Sequence, residues 1–190
     1  MEHAVTLSGH GLRLEPLALG HAEALVSLVD DGVWAGTTSP TPRDAAHMTG
    51  VIRTALETPD RYAFAVLDAG TAEVRGSTSF YDVLPAQQRC EIGHTFYGRQ
   101  WWGGRTNPAC KYLLLSHAFD TWGMHRVALR ADARNVRSTG AMRRLGAVPE
   151  GVLRGHRIAA DGSRADTVYF SVLAPEWPAV RDGLLARLAV

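Results

Sequence analysis

The chain runs to 190 residues, 46% apolar and 21% charged, with 20 Lys+Arg against 19 Asp+Glu. That is enough for one domain with a real core, and the charge balance removes the electrostatic grounds for a nucleic-acid or anionic-membrane partner. No apolar run approaches the ~20 residues of a membrane span, the N-terminus has no leader-like region, and two cysteines, Cys90 and Cys110, are too few for a disulfide framework, so a soluble cytoplasmic protein is expected.

In chain order, GLRLEPL (11–17) alternates like a short strand, and Ala22, Leu25, Val26, Leu28 and Val29 follow at helical spacing. Thr41-Pro42-Arg43-Asp44 reads as a helix start with Thr41 as N-cap, the helix running through Val51, Ile52, Ala55 and Leu56. YAFAVLD (62–68), VRGSTSFYD (74–82) and RCEIGHTFYG (89–98) are β-branched or aromatic-rich and separated by turn residues, as in consecutive antiparallel strands. A helix is expected from about Pro108 to Trp122, stopped by Gly123. HRVALRADA (125–133) alternates as a strand, and Asn135 caps a helix that carries Ala141, Met142 and Leu145 and stops at Gly146. Residues 151–173 read as a hairpin turning at Asp161-Gly162, and Pro175 to Leu188 as a terminal helix. The pattern is a mixed α/β sheet with helices over its faces.

Two stretches carry chemistry. RQWWGGRTNPACKYLLL (99–115) places glycines, arginines and a threonine ahead of a helix. Backbone N–H groups at a helix start lack intrahelical partners, and the helix dipole adds positive potential, so such a loop can grip an anion. Gly103 and Gly104 would let a phosphate approach the backbone, and Arg99 and Arg105 could add charge-assisted hydrogen bonds. A surface turn before a well-capped helix accounts for the same residues. DARNVRSTGAMRRLGAVPEGVLR (132–154) repeats the arrangement of strand, polar cap and helix, with Ser138 in the first turn. Ordinary capping explains it equally well. As a pair the loops gain weight, because adjacent strand ends can present both helix starts to one elongated ligand.

EIGHTF (91–96), WWGGRTN (101–107) and HRVALRADARNVRSTGAMRRLGAVPEGVLR (125–154) together resemble the GNAT superfamily of acyl-CoA-dependent N-acetyltransferases, in its Rim-type branch, named for enzymes that acetylate ribosomal-protein N-termini. The resemblance runs from about Gly11 to Leu173 and is strongest from Glu91 to Arg154. It implies one GNAT-like α/β domain over residues 1–190, with a mixed central sheet of about seven strands and helices on both faces. Acetyl-CoA would be the acyl-donor co-substrate, with no metal. The acceptor would be a primary amine, either a small molecule or a protein N-terminus, attacking directly in a ternary complex; a homodimer is compatible with this. Succinyl-CoA or another acyl-CoA as donor, or a non-catalytic CoA-binding sensor or subunit, are the competing readings.

Residue roles follow from the resemblance. Glu91 matches the family's base at the start of the fourth strand, needed because only a neutral amine attacks a thioester. Where that strand splays from the next, backbone N–H groups around Thr95, Phe96 and Tyr97 would face the thioester and pantetheine. Asn135 would bond the pantetheine arm, and Ser138 would donate a proton to the departing thiolate. Phosphate binding falls on Trp102, Gly103, Gly104, Arg105, Thr106 and Asn107. The family pattern wants Gln or Arg, then Gly, then Gly or Ala, and those slots hold Trp102, Arg105 and Asn107 here, with the glycines displaced to 103 and 104. Trp34, Tyr81, Asp82, His94 and Arg154 would line the acceptor pocket by analogy of fold. The eight histidines show no metal-ligand spacing.

Overall fold

The computed structural model describes residues 3–189. Among these, eight strands form one sheet: β1 (Leu7–Gly9), β2 (Leu12–Pro16), β3 (Tyr62–Asp68), β4 (Val74–Leu84), β5 (Arg89–Tyr97), β6 (Arg126–Asp132), β7 (Val148–Ile158) and β8 (Arg164–Leu173). Their spatial order is β1-β2-β3-β4-β5-β6-β8-β7, antiparallel throughout except for the parallel β5–β6 pair. Six α-helices join them: α1 (Ala22–Val26), α2 (Asp31–Trp34), α3 (Ala45–Glu57), α4 (Thr106–Ser116), α5 (Val136–Leu145) and α6 (Trp177–Leu188).

Strand alternation sends each face of the sheet into its own core. Leu14, Phe64, Val66, Phe80, Ile92, Val127, Leu129 and Phe170 pack with Leu114 of α4 and Leu184 of α6. The intervening Ala63, Ala65 and Leu67 pack with Leu25 of α1, Trp34 of α2, and Met48 and Ile52 of α3. Small side chains on β3 let α3 lie close, while Phe64 and Phe80 fill the opposite side. Burying each such phenylalanine contributes about 1.5–3 kcal/mol.

The fold differs from the sequence reading at three places. The sheet has eight strands rather than seven, because the three-residue edge strand β1 is too short to show a period. The N-cap of α3 is Asp44, not Thr41: the Asp44 carboxylate accepts the His47 N–H at 2.7 Å, and Ala45 begins the helix. A charged acceptor at the positive end of a helix outcompetes a hydroxyl further out. The expected helix over 108–122 begins earlier, at Thr106, and its last turn widens into a π-turn over His117–Thr121, with the Trp122 N–H donating to His117 O at 2.9 Å. That widening sets the Trp122 ring 4.8 Å from Phe80 and 5.2 Å from Tyr62. The strands over 62–68, the Asn135 cap and the turn at Asp161-Gly162 stand as read.

Candidate active site

Cys90 and Ile92 of β5 enter the core beneath α4, so Glu91 between them points to the opposite face. Its cross-strand partner is Tyr81 on β4. Glu91 is only 6% exposed, and its Oε2 accepts no hydrogen bond. The Arg130 Nε of β6 lies 3.3 Å from that oxygen, near enough for an ion pair but turned to donate to the Tyr81 hydroxyl at 3.0 Å. Arg130 Nη1 donates to the Tyr169 hydroxyl at 2.7 Å. Burial, with the Glu91 charge beside it, raises the Tyr81 phenol far above its ordinary pKa, so it stays protonated. The His94 ring meets Tyr81 edge-on at 5.1 Å. Part of His94 reaches solvent, but crowding by protein and then the Arg61 and Arg130 charges lower its pKa, which keeps it neutral near pH 7.

β5 and β6 pair only at Arg89↔Arg126, Cys90↔Val127 and Glu91↔Ala128, although both strands continue. The cause is on the other edge of β5. Between Ser77↔Phe96 and Ser79↔Gly93, β5 spends one residue more than β4, and His94 takes a left-handed φ of 48°. Such a bulge bends the strand and frees ladder groups. The parting begins immediately beyond Glu91, so the carboxylate sits at the apex of a V between the strands. Beneath it, the Thr95 hydroxyl shares a 2.7 Å hydrogen bond with Thr78 and accepts from Lys111 Nζ at 3.3 Å. Lys111 is 8% exposed, and burial lowers its pKa. Phe96 packs edge-on against Trp34 at 5.1 Å, and Tyr97 is buried below.

The two helix starts approach the same end of the sheet. Gly103 adopts φ +75° with open space where a Cβ would stand, a backbone that glycine adopts without strain. The Trp102 indole N–H donates to Tyr97 O at 2.9 Å, and its ring lies under the Arg137 guanidinium at 3.4 Å and the Arg99 guanidinium at 4.9 Å. This stack ties the loop before α4 to the first turn of α5. On α5, Asn135 Oδ1 accepts the Ser138 N–H at 3.0 Å, while the Ser138 hydroxyl makes no hydrogen bond within the described residues. A Cβ on Gly36 would stand 2.6 Å from Asn135 Nδ2, so a bare backbone lets the Gly36 loop close over that amide. Asp132, at the end of β6, accepts from Arg134 Nη2 at 2.8 Å and from Arg157 Nη2 at 2.9 Å.

The residues expected to bind and react separate into three groups. Glu91, Tyr81 and His94 meet on one face of the sheet; Thr95, Phe96 and Tyr97 line the parting of β5 and β6; and Trp102, Gly103, Gly104, Asn107, Asn135 and Ser138 sit about the helix starts. The remaining residues have surroundings of their own. Arg105 Nη2 donates to Leu188 O at 2.5 Å, at the negative end of α6, so its guanidinium serves that helix rather than the loop. Arg99 is paired with Asp30, Thr106 is buried and accepts from Arg75, and Asp82 is paired with Arg89. Trp34 is buried with its N–H on Ser39 O at 3.1 Å, and Arg154 stands exposed on the edge strand β7 without a hydrogen-bond or ion-pair partner among the described residues. The sequence reading overlooked Arg61, Arg130, Lys111 and Arg137. Lys111 carried a signal: it is the single lysine beside 19 arginines. Hollows of about 280 Å³ (Thr6, Leu113, His117) and 420 Å³ (Arg144, Val148, Val180) lie on other parts of the surface, and none of the residues about Glu91 lines them. Among the described residues no cluster of three His, Cys, Asp or Glu could hold a metal, and no helix is long and apolar enough to cross a membrane.

Comparison with known proteins places the family and the fold. Residues 11–148 match the model of the acetyltransferase (GNAT) domain. YdaF of Bacillus subtilis (strain 168), named as a supposed ribosomal N-acetyltransferase, is 30% identical over 103 residues, 54% of this chain and 55% of YdaF. The match therefore spans about half the length of that relative. A supposed acetyltransferase from T. thermophilus superposes with a TM-score of 0.91 at 37% identity, over 99% of each chain. Mycobacterium smegmatis RimJ, solved in complex with CoA-disulfide, shares the fold at 19% identity, TM-score 0.80, over 96% of this chain and 94% of its own.

Proposed function

This chain belongs to the GNAT family of acetyltransferases, and we propose from that premise that it moves an acetyl group from acetyl-CoA to a primary amine by direct attack. The observation that carries the reading is the buried Glu91 carboxylate at the apex of the parting between β5 and β6. Acetyl-CoA supplies a thioester carbonyl and a thiolate leaving group. The chain supplies the rest. Backbone N–H groups of β5 that β6 no longer pairs are the donors for an oxyanion, and they need not reorganise as charge develops. Glu91, with an oxygen free of hydrogen bonds, takes the proton from the amine directly or through water. Ser138, whose hydroxyl is uncommitted, donates to the departing thiolate.

The helix starts of α4 and α5 support CoA binding, with Gly103 leaving open backbone and Asn135 offering its amide nitrogen. With Arg99 paired to Asp30 and Arg105 turned to α6, Arg137 is the guanidinium left to meet a phosphate there. The acceptor is a small amine or a protein N-terminus; the name YdaF carries points to the second class for that relative. A thiol-release assay with acetyl-CoA against N-terminal peptides and small amines tests the reading. Turnover by the wild-type protein that falls steeply in Glu91→Gln supports it; no amine-dependent thiol release with any member of a broad panel counts against it.

A further inference from the structure

Arg61 lies just ahead of β3, two strands from Glu91. Its Nε donates to the Ser79 hydroxyl at 3.1 Å. Ser79 pairs across the sheet with Gly93, where a Cβ would stand 2.7 Å from the Tyr81 ring, so the guanidinium rests beside the Tyr81–Glu91–His94 group. Its two terminal nitrogens make no hydrogen bond, and no carboxylate pairs with it among the described residues. Six other arginines, Arg75, Arg89, Arg99, Arg126, Arg134 and Arg157, each meet an Asp or Glu. Arg61 is also largely buried, and burial lowers its pKa to about 10, which marks the cost of leaving that charge without a counter-ion.

The charges on this face do not balance. Asp82 and Glu150 are spent on Arg89 and Arg126, which leaves Arg61 and Arg130 as two cations to the Glu91 carboxylate among the described residues; His94 is neutral, and Tyr81 keeps its proton. Arg130 is held by Glu91 and two tyrosines, whereas Arg61 is free to bind. Resting on the acetyl-transfer reading above, we propose that the acceptor is an amine that also carries a carboxylate, with Arg61 as the residue that selects it. The amine would sit at Glu91 and the carboxylate at Arg61. A guanidinium with two free nitrogens matches a carboxylate in a bidentate fork. Tyr81 intervenes on the strand between them, and neighbouring strands lie about 4.8 Å apart, so the two main-chain positions are roughly 10 Å apart. That separation favours a carboxylate several bonds from the amine: an ω-amino acid, or a peptide N-terminus followed by an acidic side chain.

The test uses matched acceptors that differ only in charge: an ω-amino acid against its amide, and N-terminal peptides with Asp against Asn at the second position. The expected result is a preference for the carboxylate partner of about 10- to 100-fold in kcat/KM in at least one pair, the range for a hydrogen bond to a charged group. In Arg61→Gln the ratio should collapse towards one, and Arg61→Lys should keep part of it. Which pair shows the preference separates a small molecule from a peptide. Equal rates within both pairs, or a preference that survives Arg61→Gln in a protein with a normal melting curve, overturn the proposal while leaving acetyl transfer intact. If no amine is turned over, the acetyl-transfer reading falls. Calorimetric binding of the same pairs to the CoA-bound wild type and Arg61→Gln then decides the carboxylate selection separately.

Discussion

Glu91 is a buried acid with an oxygen left unbonded, one of seven buried side-chain polar atoms without a hydrogen-bond partner among the described residues and the only carboxylate oxygen of the seven. Retaining such a group makes sense if the missing partner is the acceptor's amine. Removing the base while keeping the shape, in Glu91→Gln, should lower kcat by about 10²- to 10⁴-fold and leave CoA affinity nearly intact. The limb of the pH–rate profile that belongs to the base should flatten; full activity with an unchanged profile would place the base elsewhere. Asp132 has a different task. Hydrogen bonds from Arg134, opposed by burial and reinforced by Arg157, hold its carboxyl well below the usual range. A folded-state pKa below the unfolded one adds stability that is present above the unfolded value near 4 and is lost as pH falls through the folded one. Asp132→Asn should therefore cost about 2 kcal/mol at pH 7, with the gap to wild type narrowing below pH 4 in urea titrations.

Among the elements, α5 shows its caps most plainly. Asn135 satisfies the Ser138 N–H at one end, and at the other Gly146, at φ +94°, lets its N–H turn back to Arg143 O at 3.0 Å. Asn135→Ala should cost about 1 kcal/mol in denaturant unfolding and Asn135→Ser much less, because serine also caps. If the Asn135 amide nitrogen also holds the ligand, both variants should weaken CoA binding, so stability and affinity would separate in the serine variant. Equal CoA affinity in all three proteins would confine Asn135 to capping. β5 follows another logic. Its bulge at His94 costs paired hydrogen bonds on the β6 side, and the freed groups are the ones that the proposed chemistry uses.

For the whole molecule, the expected ligand effect is a rise in melting temperature. CoA at 100 times its Kd adds about 2.7 kcal/mol to a protein that binds it only when folded, or roughly 5–10 °C for a chain of this size. An unshifted melting temperature at millimolar CoA, with no calorimetric heat, would remove the donor half of the proposed function. The same experiment on Trp102→Ala tests the stack of Arg137 on Trp102 that joins the two helix starts. A smaller shift is expected there, because the two starts would no longer be held in register.

By itself the sequence determined what nearest neighbours along the chain decide. The alternation of YAFAVLD is a strand because period two matches a pleat, Asn135 is a cap because its oxygen reaches an N–H three residues on, and Asp161-Gly162 is a turn because glycine tolerates φ of 80°. The motif between Glu91 and Arg154 added the family. Tertiary structure decided what depends on partners far away in the chain. Whether Arg105 faces a ligand or a helix end was settled by Leu188, 83 residues on. The His94 bulge arises from register against β4, and β8 lies between β6 and β7, where chain order alone would put β7. Arg61, Glu91 and Arg130 carry no shared spacing; strand pairing across β3, β4, β5 and β6 brings them together. Charges interact through space, and only the folded sheet makes these three neighbours.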